Sequence, residues 1–264
     1  MPSRIIAVDW SGNAKNRNQR EKIQLARVDN GIPHPPESGR TRQEVCNYLI
    51  DEVRQDHNLV VGLDFAFSFP SWFLKEKGIP EPVELWKKSQ DEGERWMSKY
   101  PFWWGKGSKK PNIPFRKTEE QVKDAGKGQP ESVFKLVGHK QVGRGSVRGM
   151  PHLFQLHKAG FAIWPFDKPQ LPMAIEIYPK ILQKSQVTKT DPSSREAYIE
   201  QHHGHLPDEW KQKTVQNDDA FDAAVSALVM WEHLDELIGL PEVLDLEYRL
   251  EGIIWYPKWD QYSD

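Results

Sequence analysis

Two apolar runs in this chain end in a carboxylate. Residues 4–9 read Arg-Ile-Ile-Ala-Val-Asp before the turn signal at Ser11 and Gly12, and residues 59–64 read Leu-Val-Val-Gly-Leu-Asp. Such runs predict buried strands that deliver Asp9 and Asp64 to their carboxyl ends, where a charge is costly unless something binds it. Taken alone, Asp9 also suits a turn that it caps through its own side chain. A third short strand, residues 173–178, embeds Glu176 among apolar neighbours. Both later strands run on to a proline, Pro70 and Pro179, where strand gives way to loop. The fourth acidic group lies in residues 217–231, Ala-rich and with the apolar spacing of a helix. Asp219 and Asp222 are three apart and share one face near its first turn. A helix dipole by itself accounts for one or two acids at that end.

With no lysine or histidine between them in this pattern, the five carboxylates would repel one another if gathered. Divalent cations resolve that repulsion, and hard oxygen ligands suit Mg²⁺ or Mn²⁺, which keep waters and bind through a few carboxylates plus substrate phosphates.

The set Asp9, Asp64, Glu176, Asp219 and Asp222 resembles the acidic constellation of the RNase H-like superfamily. Within it the chain is most similar to the predicted nucleases grouped as domain-of-unknown-function family 429, and more distantly to the Holliday-junction resolvases. The matching pieces are residues 7–12, 62–70, 143–151, 163–166, 176–179 and 218–223, in that order over most of the chain. The resemblance implies an α/β fold: a mixed sheet with an antiparallel hairpin at its start, helices on both faces, and one domain over residues 1–264 with an aromatic-rich insertion at about 72–137. It also implies a metal-dependent nuclease in which the five acids hold one or two Mg²⁺ or Mn²⁺ ions and hydrolyse a phosphodiester.

The elements that must position these residues follow in order. Residues 12–20 are polar and turn-like, and residues 22–28 alternate as a hairpin partner would. A third hairpin strand must be short, at an edge or absent, because residues 32–40 hold three prolines. Thr41 and Glu44 form a capping-box pattern opening a helix to about Gln55, with Val45, Leu49 and Val53 toward the sheet. The insertion begins with a helix over about 81–99. Its tryptophans suit an aromatic core better than a stacking surface, except Trp103 and Trp104, adjacent and flanked by Pro101 and Gly105, which are candidates to stack on bases. Residues 140–149 are glycine-rich and read as a loop in which Lys140, Arg144, Ser146 and Arg148 meet phosphate. A helix follows over 150–160, another over 193–202, and an aromatic tail over 244–262 packs back on the core.

The formal net charge of -2 hides an asymmetry: residues 105–148 hold eleven Lys or Arg against four acids, whereas residues 206–264 hold fourteen acids against four bases. A basic middle suits phosphates and an acidic end suits metal, although solvated faces also carry such runs. No apolar stretch reaches the ~20 residues that span a bilayer, and the N-terminus lacks a signal-peptide core. The single cysteine, Cys46, excludes an intrachain disulfide and fits a cytoplasmic setting. Expected partners are DNA or RNA, with no membrane. Two rival readings remain at this stage: a nucleotide-binding phosphotransferase or ATPase on the same fold, and a non-catalytic nucleic-acid-binding protein.

Overall fold

A computed structural model describes residues 2–103, 105, 107–128, 130–138 and 141–257. Among them seven strands form one mixed sheet: β1 (Arg4–Asp9), β2 (Gln24–Asp29), β3 (Ile32–Pro33), β4 (Leu59–Leu63), β5 (Ala162–Ile163), β6 (Met173–Ile177) and β7 (Ile254–Trp255). The order is β3-β2-β1-β4-β6-β5. β1, β2 and β3 pair antiparallel, whereas β4, β5, β6 and β7 join in parallel. β5 and β7 pair with successive halves of β6. The helices are α1 (Asn16–Lys22), α2 (Arg42–Gln55), α3 (Ser71–Glu76), α4 (Pro82–Met97), α5 (Lys117–Asp124), α6 (Val142–Lys158), α7 (Pro179–Leu182), α8 (Pro192–His203), α9 (Asp208–Val215), α10 (Asp218–Glu232), α11 (Leu234–Ile238) and α12 (Leu246–Glu251).

The strand pleat sorts side chains between two cores. Ile6 and Val8 of β1, with Val61 and Leu63 of β4, face a core built with α2, α4 and α6. Ile5 and Ala7, with Val60 of β4 and Ile175 and Ile177 of β6, face a second core under α10, whose Ala223, Ala224 and Ala227 lie there. Those alanines let the helix approach closely: a Cβ at Gly62 would stand 2.6 Å from Met230 Sδ. α2 starts where its capping box predicts, with Glu44 N–H donating to Thr41 and the Glu44 carboxylate accepting from Thr41 N–H at 2.8 Å.

Several local expectations need correction. Residues 16–22 form α1 rather than a turn, a polar helix with only Gln19 buried, so no apolar stripe announces it. The glycine-rich stretch 142–149 is the start of α6, not a loop, and continues through Pro151 to Lys158. Pro70 and Pro179 open the short helices α3 and α7 rather than loops. The aromatics of the 72–137 region do not form a private core: Phe73, Trp86, Trp96, Phe102 and Phe134 join the cluster on the α2/α6 face of the sheet. The third hairpin strand is present as two edge residues, and the tail reaches the sheet through β7, where Trp255 is buried.

Candidate functional site

Register places the first two acids side by side. Val8 pairs with Leu63 in the parallel β1–β4 ladder, and the Asp64 amide donates to the Val8 carbonyl at 3.1 Å. Asp9 continues the Ile5–Ala7 face, and Asp64 the Val60–Gly62 face, so both project toward α10. That helix starts at Asn217, whose side chain accepts from Ala220 N–H at 2.8 Å and fixes the first turn. Asp219 and Asp222 then line the same cleft as Asp9 and Asp64, a hollow of ≈ 730 Å³.

The four carboxylates strain against one another. Burial first, then repulsion from Asp64, Asp222 and Asp219, holds the Asp9 pKa well above the ordinary carboxylate value. Burial and then Asp222 push Asp64 up to about 7. Burial also raises Asp222, to about 6, although Lys189 pulls the other way. Burial followed by Asp218 raises Asp219. Two ammonium groups offset part of this charge, contrary to the expectation that no lysine stands among the acids. Lys189 Nζ donates to Asp222 Oδ2, and Lys22 Nζ donates to Asp219 Oδ2 at 3.2 Å. Asp222 is 3% exposed, and its other oxygen, Oδ1, is buried with no hydrogen-bond partner.

Glu176 lines the same cleft and its charge acts on Asp64, but it is held differently from the other four acids. β6 pairs Glu176 with Leu63, not with Asp64, so strand alternation turns it to the opposite face of the sheet. There Arg116 grips it as a fork, Nη2 to Oε1 at 2.5 Å and Nη1 to Oε2 at 2.9 Å, and Phe67 N–H donates to Oε2 at 2.9 Å. Arg116 is 1% exposed and also binds Glu119 and the Glu251 carbonyl. Burial alone would lower the guanidinium pKa, but Glu176 and Glu119 outweigh it and raise it. Glu176 borders the cleft, yet its charge is already spent on Arg116.

Of the expected substrate contacts, Arg144 and Arg148 line the cleft from α6. Arg148 is held by Glu94 at 2.7 Å and by the Gly12 carbonyl at 2.5 Å, which ties α6 to the segment after β1. Arg42, outside the cleft lining, braces the same segment by donating to the Ser11 and Asn13 carbonyls at 2.8 and 2.7 Å. Ser146 is buried, donates to Val142 O at 2.8 Å and accepts from Ala66 N–H at 3.0 Å, so it serves α6 packing and not substrate. Trp103 is half-buried against the aromatic core, bridged to Lys135, and is not part of the cleft lining; Lys110 Nζ lies 5.5 Å from its ring. Trp104 and Lys140 fall outside the described residues.

Sequence reasoning passed over Lys22, Lys189, Arg42 and Arg116. Lys22 was within reach, since it stands two residues before Gln24, the β2 partner of Asp9. Lys189 comes from the segment between α7 and α8, and no spacing or motif marks it.

Among the described residues, no group of three or more His, Cys, Asp or Glu side chains is placed so as to hold a metal ion. The donor chemistry still fits a hard divalent cation: Asp9, Asp64 and Asp222 are oxygen donors on one face, and the bare Asp222 oxygen is a buried acceptor without a donor. Fold and cleft thus define an α/β protein with a mixed sheet and an acidic cleft at the carboxyl ends of its central strands. No family model, curated protein or solved structure matches the chain. No helix among the described residues is long and apolar enough to cross a membrane.

Proposed function

We propose that this chain is a metal-dependent nuclease of the RNase H-like type, hydrolysing phosphodiester bonds of DNA or RNA with Mg²⁺ or Mn²⁺. The observation that carries the reading is the meeting of Asp9 and Asp64, from adjacent parallel strands, with Asp222 of α10 in one open cleft. The strand order supports it, an antiparallel β1–β2–β3 hairpin set followed by β4 and β6 in parallel on the other side of β1. Asp9, Asp64 and Asp222 would hold the ion, with Asp219 on the rim beside Lys22. An ion held there would supply Lewis acidity toward water and positive charge for the phosphate. Arg144 and Arg148 face the same cleft and offset charge on the phosphate oxygens as it builds in the transition state. Glu176 takes no part in holding the ion; with Arg116 it fixes the loop that follows Asp64.

A cleavage panel over single-stranded, duplex and branched DNA and RNA, with Mn²⁺ or with EDTA, tests the reading. The expected result is ion-dependent cleavage that Asp9→Asn and Asp222→Asn each reduce by ~10³-fold or more, about 4 kcal/mol of transition-state stabilisation. Cleavage that survives both substitutions would discard the assignment.

A further inference from the structure

We infer that the cleft engages one strand over about three phosphates and no more, so that a tetranucleotide is a complete substrate and a duplex stays out; this rests on the nuclease reading above. A hollow of ≈ 730 Å³, taken as round, is about 11 Å across, which one strand fills with roughly three phosphates at about 3.4 Å apiece. A duplex, whose major groove alone is about 12 Å wide, is broader than that. Volumes of this order, about 300–1,000 Å³, belong to small-molecule sites. The walls come from stretches far apart in the chain: the turn after β1, the segment before α6, the start of α7 and the loop that carries Lys189. The acids that a phosphodiester must reach lie deep between them, with Asp222 buried.

Charge sets the same limit. The described lining carries seven cationic and seven acidic side chains, with no positive excess to draw in a long polyanion. Four of those cations are already engaged: Arg116 by Glu176, Arg148 by Glu94, Lys22 by Asp219 and Lys189 by Asp222. Lys15 and Lys180 are exposed and make no ion pair among the described residues; with Arg144 they can serve about three phosphates. Past Lys22 and Asp219 the surface opens into a second hollow, lined by Glu21, Glu37 and Glu209 with Lys213 as the one Lys or Arg of its described lining. Arg17 and Arg40 beside it are held by Glu21 and Glu37, at 3.0 and 2.9 Å, so no basic track leads a strand out on that side. The aromatics agree. Trp10 and Phe65 of the lining are buried, and half-buried Tyr178 is the lining aromatic with a face for one base, whereas grooves that track a strand stack successive bases.

The test is the length dependence of cleavage by the full chain with Mn²⁺, read as kcat/KM at several salt concentrations. The substrates are single strands of two, four, eight and twenty-four nucleotides and a duplex of the longest. Expected is a kcat/KM that rises up to the tetranucleotide and then stays within about threefold, with the duplex slower by at least ~10-fold. The salt slope should be about −2, from about three phosphates at ~0.7 each, and the same for the tetranucleotide and the longest strand. A kcat/KM that climbs more than threefold beyond four nucleotides, a salt slope that steepens with length, or a duplex cut within tenfold of the tetranucleotide would overturn the limit and leave the nuclease reading standing. No cleavage of any strand would overturn both.

Discussion

At the scale of single residues, the cleft is an arrangement of carboxyls that resist ionising together. Asp64, pushed up to about 7, and Asp222, raised to about 6, hold protons in the folded chain that the unfolded chain releases near pH 4. The folded state therefore binds more protons between roughly pH 4 and 7, and stability falls as pH rises through that window. Without metal the melting temperature is expected to drop by about 2–6 °C between pH 5 and 8, and Asp64→Asn to flatten the drop. Mn²⁺ should reverse it at pH 8. Thermal melts of the metal-free protein showing stability that climbs with pH would contradict this. On the other face, Arg116→Met leaves Glu176 and Glu119 buried without their cation and is expected to cost about 3–5 kcal/mol. Glu176→Gln removes one charge from that network and should leave Mn²⁺ affinity within about twofold of wild type, whereas loss of a true ligand costs far more than the ~10–100-fold of an outer-shell partner. A collapse of Mn²⁺ affinity in Glu176→Gln would return that residue to the ligand set.

At the scale of elements, what could be read in advance was whatever periodicity and capping encode. The α2 start follows from Thr41 and Glu44, and β1 and β4 from unbroken apolar runs that the structure buries on both faces. α10 was readable from alanine spacing. The face that Glu176 takes was not legible, because an acid in an apolar strand says nothing about it; that depends on register, and Leu63 is its β4 partner. α6 was misread because its glycines look like loop residues, whereas packing demands them. A Cβ at Gly149 would come within 2.6 Å of the Phe65 ring, itself packed at a tilt against Trp10 and Phe67 with centroids 4.9 and 5.2 Å away. Gly149→Ala gains about 1 kcal/mol of helix propensity but loses about 1–3 kcal/mol to overpacking. The clash is expected to win, lowering the melting temperature by a few degrees and, because Phe65 follows Asp64 directly, weakening Mn²⁺ binding. A Gly149→Ala protein that melts higher would show that the ring moves aside freely.

At the scale of the whole molecule, the charge asymmetry along the chain becomes only partly an asymmetry of the cleft. Many bases of the 105–148 stretch are consumed locally: Arg116 is buried on Glu176, Lys117 meets Asp245 at 2.7 Å and Lys135 meets Glu131 at 2.9 Å. Arg148 is likewise paired with Glu94, and it lines the cleft together with Arg144. With Arg144 on phosphate, Arg144→Gln should weaken nucleic-acid binding about equally across sequences and lower the salt slope by about one. Filter-binding titrations at several salt concentrations measure this, and an unchanged slope would remove Arg144 from the interface. Acids far apart in sequence meet at this site because β1 lies beside β2 and β4, and α10 covers all three. Anomalous diffraction from crystals soaked in Mn²⁺ tests that convergence: a peak bounded by Asp9, Asp64 and Asp222 is expected, and a peak at Glu176, or none at the cleft, would overturn it.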